Sequence, residues 1–155
     1  MARKPDRLQK GGMMPIKRRT LLQAAGLAAA SAPAWGAKTP SPKDTLLYII
    51  TPHTGERVHG AFWCRFGLRN MGVTHAGDST PNLGHHHLLV DVAEPLNPDE
   101  PIPSDKNHLH FGAGQTETRL DLPPGRHTLQ LVLGDAEHML FVPPVMSRKI
   151  TITVV

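Results

Sequence analysis

The 155-residue chain is poor in aromatic residues, in cysteine and in long apolar runs. It has 2 Trp, 1 Tyr and 4 Phe, so a core must be built from Leu, Val and Ile. Cys64 is the single cysteine, which excludes an internal disulfide. No apolar run approaches the roughly 20 residues that a membrane helix needs. Helical periodicity is absent after residue 44, which argues against a helical domain.

Positive charge is also scarce outside the N-terminal segment. Residues 1–36 contain seven Lys or Arg and one Asp, whereas residues 37–155 contain ten Lys or Arg and twelve Asp or Glu, a net charge of −2. The overall net charge of +4 therefore comes from the first 36 residues. No basic patch remains on which nucleic-acid binding could depend.

The N-terminal segment has the organisation of an export signal. Lys17-Arg18-Arg19 precedes a short apolar stretch over residues 20–30, and small residues follow. This pattern predicts a signal over residues 1–36, cleaved near Ala34–Ala37, and a periplasmic mature protein. The paired arginines resemble the twin-arginine type, which exports folded proteins. General secretion is the alternative.

The remaining residues predict one all-β domain. Residues 37–44 (Ala-Lys-Thr-Pro-Ser-Pro-Lys-Asp) are expected to form a flexible linker. Residues 45–155 then alternate between short apolar runs and Pro or Gly turns. We expect strands at 46–50, 58–68, 85–92, 108–111, 116–122, 127–133 and 150–154, with a short extended segment at 139–142. About seven such strands indicate a single immunoglobulin-like antiparallel β-sandwich, with a small barrel as the alternative.

All ten histidines follow residue 36, and three of them are consecutive: His85, His86 and His87. Because successive side chains of a strand point to opposite faces, His85 and His87 share one face and His86 lies on the other. The first face continues to Asp91, and a carboxylate favours solvent. We therefore expect His86 at the edge of the core and the other two histidines on an outer, solvated face.

A second histidine pair, His108 and His110, has the same spacing. Leu109 and Phe111 form the apolar face of that segment, so both histidines are expected to point outward. If the two strands are neighbours, opposed Cβ atoms lie about 4.5–5.5 Å apart. Four imidazoles could then bind Zn or Cu, with Asp91 as a further ligand or as an acceptor for a ring N–H.

The alternative is a network of neutral imidazoles that are hydrogen-bonded to carbonyl, hydroxyl and carboxylate groups, without a metal. Asp135 and His138 follow a strong strand and could join the same cluster. Asp135 could instead cap backbone N–H groups in a turn. His127 has the parity of Leu129 and is expected at the core edge, with its ring hydrogen-bonded.

Catalytic signatures are few. Cys64 shares the inward parity of Phe62 and Phe66, so we expect a buried thiol with a raised pKa, not a nucleophile. Its early position also disfavours a blue-copper centre. No nucleophile elbow, phosphate loop or His-Glu-x-x-His helix occurs. A metal-dependent enzyme is therefore a less favoured class than a binding protein, and no catalytic residue is predicted.

Several blocks resemble a family of small exported bacterial domains of unknown function. The two most distinctive are Gly84-His85-His86-His87-Leu88-Leu89-Val90-Asp91 and Leu122-Pro123-Pro124-Gly125 followed by His127-Thr128-Leu129. The likeness spans about residues 58–155. It implies a signal-bearing periplasmic or secreted protein and no particular activity.

Together these observations favour an exported β-sandwich protein that binds a transition metal, Cu or Zn, through a histidine-rich sheet face. The predicted ligands are His85, His87, His108 and His110, supported by Asp91, Asp135 and His138. The alternative is a ligand-binding module, or one that docks a protein or envelope partner, in which the histidines are structural. A transmembrane segment in the mature protein is not expected.

Overall fold

A computed structural model describes Met1 and residues 38–155. The predicted export signal and its cleavage site lie outside the described residues, apart from Met1. Among the residues that are described, no helix has the length and apolar character needed to cross a bilayer.

The described residues contain nine strands and no helix, as the sequence predicts. The strands are β1 (Leu46–Thr51), β2 (Arg57–Val58), β3 (Phe62–Arg69), β4 (Gly72–Val73), β5 (Leu83–Val90), β6 (His108–Phe111), β7 (Glu117–Leu120), β8 (Gly125–Gly134) and β9 (Ile150–Val154). The run predicted as one strand over 58–68 is divided, because Gly60 between β2 and β3 has a positive φ of 57°. The segment at 139–142 forms only isolated bridges to Gly134 and Pro40.

The strands form two sheets, which confirms an all-β sandwich. One sheet has three strands in the order β1-β3-β7. The other has six: its order is β2-β9-β8-β5-β4, and β6 also pairs with β5. Most pairs are antiparallel, whereas β2 with β9 and β4 with β5 are parallel.

The main core lies between the two sheets. In β3 the inward side chains alternate with exposed ones. Cys64 and Phe66 belong to the same buried cluster as Leu131 of β8 and Phe141. Cys64 is fully buried, and loss of hydration raises its pKa to about 12. The thiol is therefore a small apolar core group, as its parity predicts.

Strand β5 differs from β3 because it is buried on both faces. Every residue from Gly84 to Val90 is buried. Leu88 and Val90 belong to the main core. On the other face, Leu89 joins a second apolar cluster with Ile102, Val132 and Leu140. Residues 92–102 and 138–146 contribute to this cluster and cover the face that carries His85 and His87.

Candidate metal centre

Strand β5 places the consecutive histidines on its two faces, as alternation requires. His85 and His87 point away from the main core, but they are only 1% and 0% exposed. The expectation that this face meets solvent is therefore wrong. The reason is the second apolar cluster, which covers the sheet beside them.

His86 lies on the core side, as predicted. It is 0% exposed, and its ring lies 5.1 Å from the ring of Phe66, centroid to centroid. Its Nδ1–H donates to the carbonyl of Gln115 at 3.0 Å. Burial lowers the pKa of His86, so the ring is a neutral core group separated from the other histidines by the sheet.

Strand β6 brings His110 to the same face as the buried pair. The structure meets the condition set by the sequence, because β5 and β6 are antiparallel neighbours with His87 opposite His110. The rings of these two residues are 5.0 Å apart, and His110 lies equally close to His85. Gly112 leaves room for this ring, since a Cβ there would overlap the imidazole of His110.

His138 reaches the cluster from the turn after β8. Its φ is +66°, a conformation that costs a non-glycine residue roughly 1–2 kcal/mol. Two backbone bonds hold it: the His138 N–H donates to the Asp135 carbonyl at 3.0 Å, and the Ile102 N–H donates to the His138 carbonyl at 2.8 Å. These hydrogen bonds offset the conformational free energy, and the turn directs the His138 ring toward His110.

Asp135 builds that turn. Its Oδ1 accepts the backbone N–H groups of Glu137 and Met139 at 3.0 and 2.9 Å, and its Oδ2 accepts the hydroxyl of Thr39 at 2.6 Å. Both predictions for this segment thus describe part of it: the carboxylate caps backbone N–H groups, and His138 joins the cluster. Thr39 falls in the stretch predicted as a linker.

The four imidazoles of His85, His87, His110 and His138 form one compact group, here called the histidine cluster. Their ring centroids lie 4.8–5.8 Å apart. The Nε2 atoms of His85 and His87 are 3.1 Å apart, and those of His110 and His138 are 3.2 Å apart. Nitrogens bound at 2.0–2.1 Å to one tetrahedral zinc lie roughly 3.3 Å from each other.

Three of these residues could hold a metal ion on distance alone. One ligand atom from each of His85, His110 and His138 lies within 4.8 Å of the others. Nε2 of His87 lies next to this set, 3.1 Å from Nε2 of His85. The cluster can therefore supply three or four neutral nitrogen donors to one ion.

The cluster favours neutral imidazoles. Burial lowers the pKa of His85 to about 4, and the neighbouring His138 and His110 add to the shift. Burial, with His85, His110 and His138, lowers the pKa of His87 to about 3. Burial and His138 also lower the pKa of His110. Because a metal binds unprotonated imidazole, the rings of His85, His87 and His110 are in the binding form at neutral pH.

One buried nitrogen of the cluster has no partner among the described residues. It is Nδ1 of His87, whose Nε2 contacts His85. If Nδ1 holds the proton, a buried donor is left unpaired, and if Nε2 holds it, a buried acceptor is. Either arrangement costs about 1–3 kcal/mol. An apolar side chain at position 87 would avoid this cost, so stability alone does not account for a histidine there.

The structure does not bring Asp91 to the cluster. Asp91 follows β5 with a φ of +56° and pairs with His127 instead. Its Oδ2 accepts Nδ1–H of His127 at 2.7 Å, and its Oδ1 accepts the Thr128 N–H at 2.8 Å. His127 Nε2–H donates to the Pro123 carbonyl at 2.8 Å. Burial opposes protonation, but these two acceptors outweigh it and raise the pKa of His127.

His108 also lies apart from the histidine cluster. It opposes Leu89 across the β5–β6 pair, and its Nδ1 bonds with Asp105 Oδ1 at 2.9 Å. The side chain of Asp105 also accepts the His108 backbone N–H at 2.9 Å. His108 therefore stabilises the turn that begins β6.

Three residues shape the site without contributing an imidazole ring, and the sequence analysis does not predict their roles. Gly134 opposes His85 across β5 and β8, and a Cβ there would lie 2.9 Å from His87 Nε2. Gly112 gives His110 its space, and Thr39 braces Asp135. A signal was present for the two glycines, since Gly134 directly precedes Asp135 and Gly112 lies two residues after His110.

A family described as "Domain of unknown function (DUF4399)" matches residues 64–155 of the chain. This agrees with the resemblance to a family of unknown function. No curated protein matches the chain. No solved structure matches it either.

The free energy of unfolding of the metal-free protein should fall as pH decreases from about 6.5 to 4. In this range an unfolded histidine, with a pKa near 6.5, takes up a proton, whereas folded His85 and His87 reach half-protonation only at pH values of about 4 and about 3. The unfolded state then binds more protons, which destabilises the fold by up to about 1.4 kcal/mol per pH unit for each histidine. Urea unfolding in chelator at half-unit pH steps measures the slope. A flat profile would contradict the assignment of neutral buried rings.

His87→Leu should change the free energy of unfolding of the metal-free protein by less than about 1 kcal/mol at pH 7, because removal of the unpaired Nδ1 offsets the loss of the Nε2 contact with His85. The same variant should show a shallower loss of stability between pH 6.5 and 4. Paired urea titrations of this variant and the exposed-site control His59→Leu provide the comparison. Destabilisation by more than 1 kcal/mol would mean that the His87 ring is needed for the fold.

Proposed function

The chain belongs to the DUF4399 family, and we propose that it binds a transition-metal ion, Cu or Zn, through the histidine cluster. One observation supports this above the others: four imidazoles from two strands and one turn converge, with paired Nε2 atoms 3.1 and 3.2 Å apart. Such spacing suits the edges of a single coordination shell. His85, His110 and His138 are the proposed ligands, and His87 is the fourth.

The donor set favours copper and zinc over harder and softer ions. All donors are imidazole nitrogens, which suit Cu and Zn, whereas carboxylate oxygens suit Mg and Ca. Cys64 faces the main core and takes no part. Cu(II) should bind more tightly than Zn(II) at equal concentration, following the general order of affinities for nitrogen sites.

Burial differs within the cluster and supports binding in preference to catalysis. His85 and His87 are buried, whereas His138 is half-buried and His110 reaches solvent. An ion could enter past the outer pair and be held by the inner pair. With four histidines engaged, no coordination position would be open to a substrate. We therefore propose a metal-binding protein, not an enzyme.

We also propose that the protein is exported and acts in the periplasm. The support is the pattern of Lys17-Arg18-Arg19 followed by an apolar stretch. A twin-arginine route would allow the domain to fold, and to take up its ion, before transport. Folding before transport would matter for the site, because the Thr39–Asp135 hydrogen bond joins the chain just after the proposed signal to the turn that carries His138.

The second candidate is a module for binding a protein or envelope partner, in which the histidines are structural. The same Nε2 separations favour it, since 3.1 and 3.2 Å are also the lengths of N–H···N hydrogen bonds. In this arrangement one ring of each pair donates and the other accepts. Thermal stability would then be independent of metal.

Cu(II) and Zn(II) should each raise the melting temperature of the untagged protein, with a larger effect for Cu(II). A ligand at a hundred times its dissociation constant stabilises the folded state by about 2.7 kcal/mol. Thermal unfolding followed by circular dichroism, with one to ten equivalents of each ion, measures this shift. The double variant His110→Ala/His138→Ala should lose it, because two nitrogens are removed from the accessible side.

The matched control is His59→Ala, which removes an exposed histidine outside the cluster. It should keep the full shift. No shift with either ion, or an equal shift in the double variant, would contradict metal binding by the cluster and favour the structural role of the histidines.

Gly112→Ala should weaken metal binding by about tenfold, or about 1.4 kcal/mol, although no ligand is removed. The new methyl group would overlap the His110 ring and rotate it away from His138. Gly112 does not have a positive φ, so alanine is compatible with its backbone. Isothermal titration with Cu(II) in a competing buffer measures the affinity. Unchanged affinity would mean that His110 is not a ligand.

A further inference from the structure

The outer face of the three-stranded sheet is rich in exposed apolar side chains. Four large ones stand on β1 and β3: Trp63 is 49% exposed, Leu46 46%, Ile50 45% and Tyr48 38%. They lie on the side of the sheet that faces away from the main core, since the alternate residues Leu47, Cys64 and Phe66 are buried. Several large exposed apolar side chains on one sheet face mark a binding surface more often than a single exposed residue does.

Three arginines share this face. Arg69 is opposite Leu46, and Arg119 on β7 is opposite Trp63. Arg65, between them, is opposite Glu117 and donates from Nε to its Oε2 at 2.8 Å. Arg69 and Arg119 form no salt bridge with any described residue.

The charge of the outer face is opposite to that of the domain. Three arginines and one glutamate give the face a charge of +2, whereas residues 37–155 together have a net charge of −2. An anionic partner is therefore directed to this face and not to the rest of the domain. The Arg65–Glu117 pair shows the contact on which such a partner would rely, a carboxylate held by an arginine.

Tyr48 gives the face a flat platform. It lies opposite Gly67 on β3, and a Cβ on Gly67 would overlap Cζ and Cε2 of the tyrosine ring. The ring thus lies across the sheet with one side on the glycine backbone. Because Tyr48 remains 38% exposed, its other side is open for stacking. Trp63 lies on the same strand as Gly67, four residues or about 13 Å away.

We propose that the outer face binds an acidic polysaccharide whose sugars bear carboxylates. Sugar rings would stack on Tyr48 and Trp63, while Arg69 and Arg119 would each hold a carboxylate with the planar fork that arginine offers. Along this face of β3 the order is Trp63, Arg65, Gly67 with the Tyr48 ring of β1 over it, and Arg69, so rings and arginines follow one another as a polymer of sugar rings and carboxylates requires. This site is independent of the histidine cluster.

A second copy of the chain fits the face less well than an anionic polymer does. In a symmetric dimer the same patch meets itself, which would set three arginines against three arginines with one glutamate on each side. A neutral glycan would use the aromatic rings and leave the arginines without partners. Carboxylated sugar polymers satisfy both kinds of side chain.

Polygalacturonate binding to the full-length chain, measured by isothermal titration in chelator, tests the proposal. We expect saturable binding that weakens by about tenfold in Trp63→Ala and in Arg119→Gln, the loss expected for a central contact residue. Arg126→Gln, on β8 of the other sheet, removes the same charge elsewhere and should change the affinity by less than about twofold. Circular dichroism confirms that each variant is folded.

Two further ligands separate the contributions. Fully methyl-esterified polygalacturonan keeps the sugar rings without charge, and polyglutamate keeps the carboxylates without rings, so both should bind at least about tenfold more weakly. Absence of polygalacturonate binding, or equal binding of polyglutamate, would overturn the proposal. A dimer that dissociates in Trp63→Ala, with no effect of that change on glycan binding, would also overturn it.

Discussion

The pairing of β5 with both β6 and β8 is the constraint on which the candidate site depends. Its register sets His87 opposite His110 and His85 opposite Gly134. A slip of one residue would turn His85 and His87 into the main core and direct His86 to the cluster. The apolar side chains Leu88 and Val90 prevent such a slip, because they must remain between the sheets. The hydrophobic core thus determines where the imidazole nitrogens lie.

The same arrangement places polar groups where stability alone would favour apolar ones. His85 and His87 are buried beside Leu89 and Val132, and one nitrogen of His87 is without a partner among the described residues. Nearby, His138 occupies a backbone conformation unusual for its type. Such departures from the most stable choice are expected at functional sites. A bound ion would use the Nε2 atoms, which in its absence face one another in pairs 3.1 and 3.2 Å apart.

Local alternation was sufficient to predict most of the strands, the division of the consecutive histidines between two faces and the hydrogen-bonded ring of His127, but it joined β2 to β3 and missed β4. Burial of His85 and His87 could not be predicted, because the side chains that cover this face, among them Ile102 and Leu140, lie far away in the sequence. His108 was grouped with His110 by spacing alone. The hydrogen bond of His108 with Asp105 depends on the turn before β6. The position of His138 depends on the turn that Asp135 caps after β8.

Crystals of the protein soaked in Cu(II) or Zn(II), with anomalous diffraction recorded at the absorption edge of each metal, would show whether the histidine cluster binds an ion. We expect one strong peak within about 2.0–2.1 Å of ring nitrogens of His85, His110 and His138. Anomalous density confined to exposed histidines such as His53 or His59, with the four rings of the cluster unchanged, would contradict it.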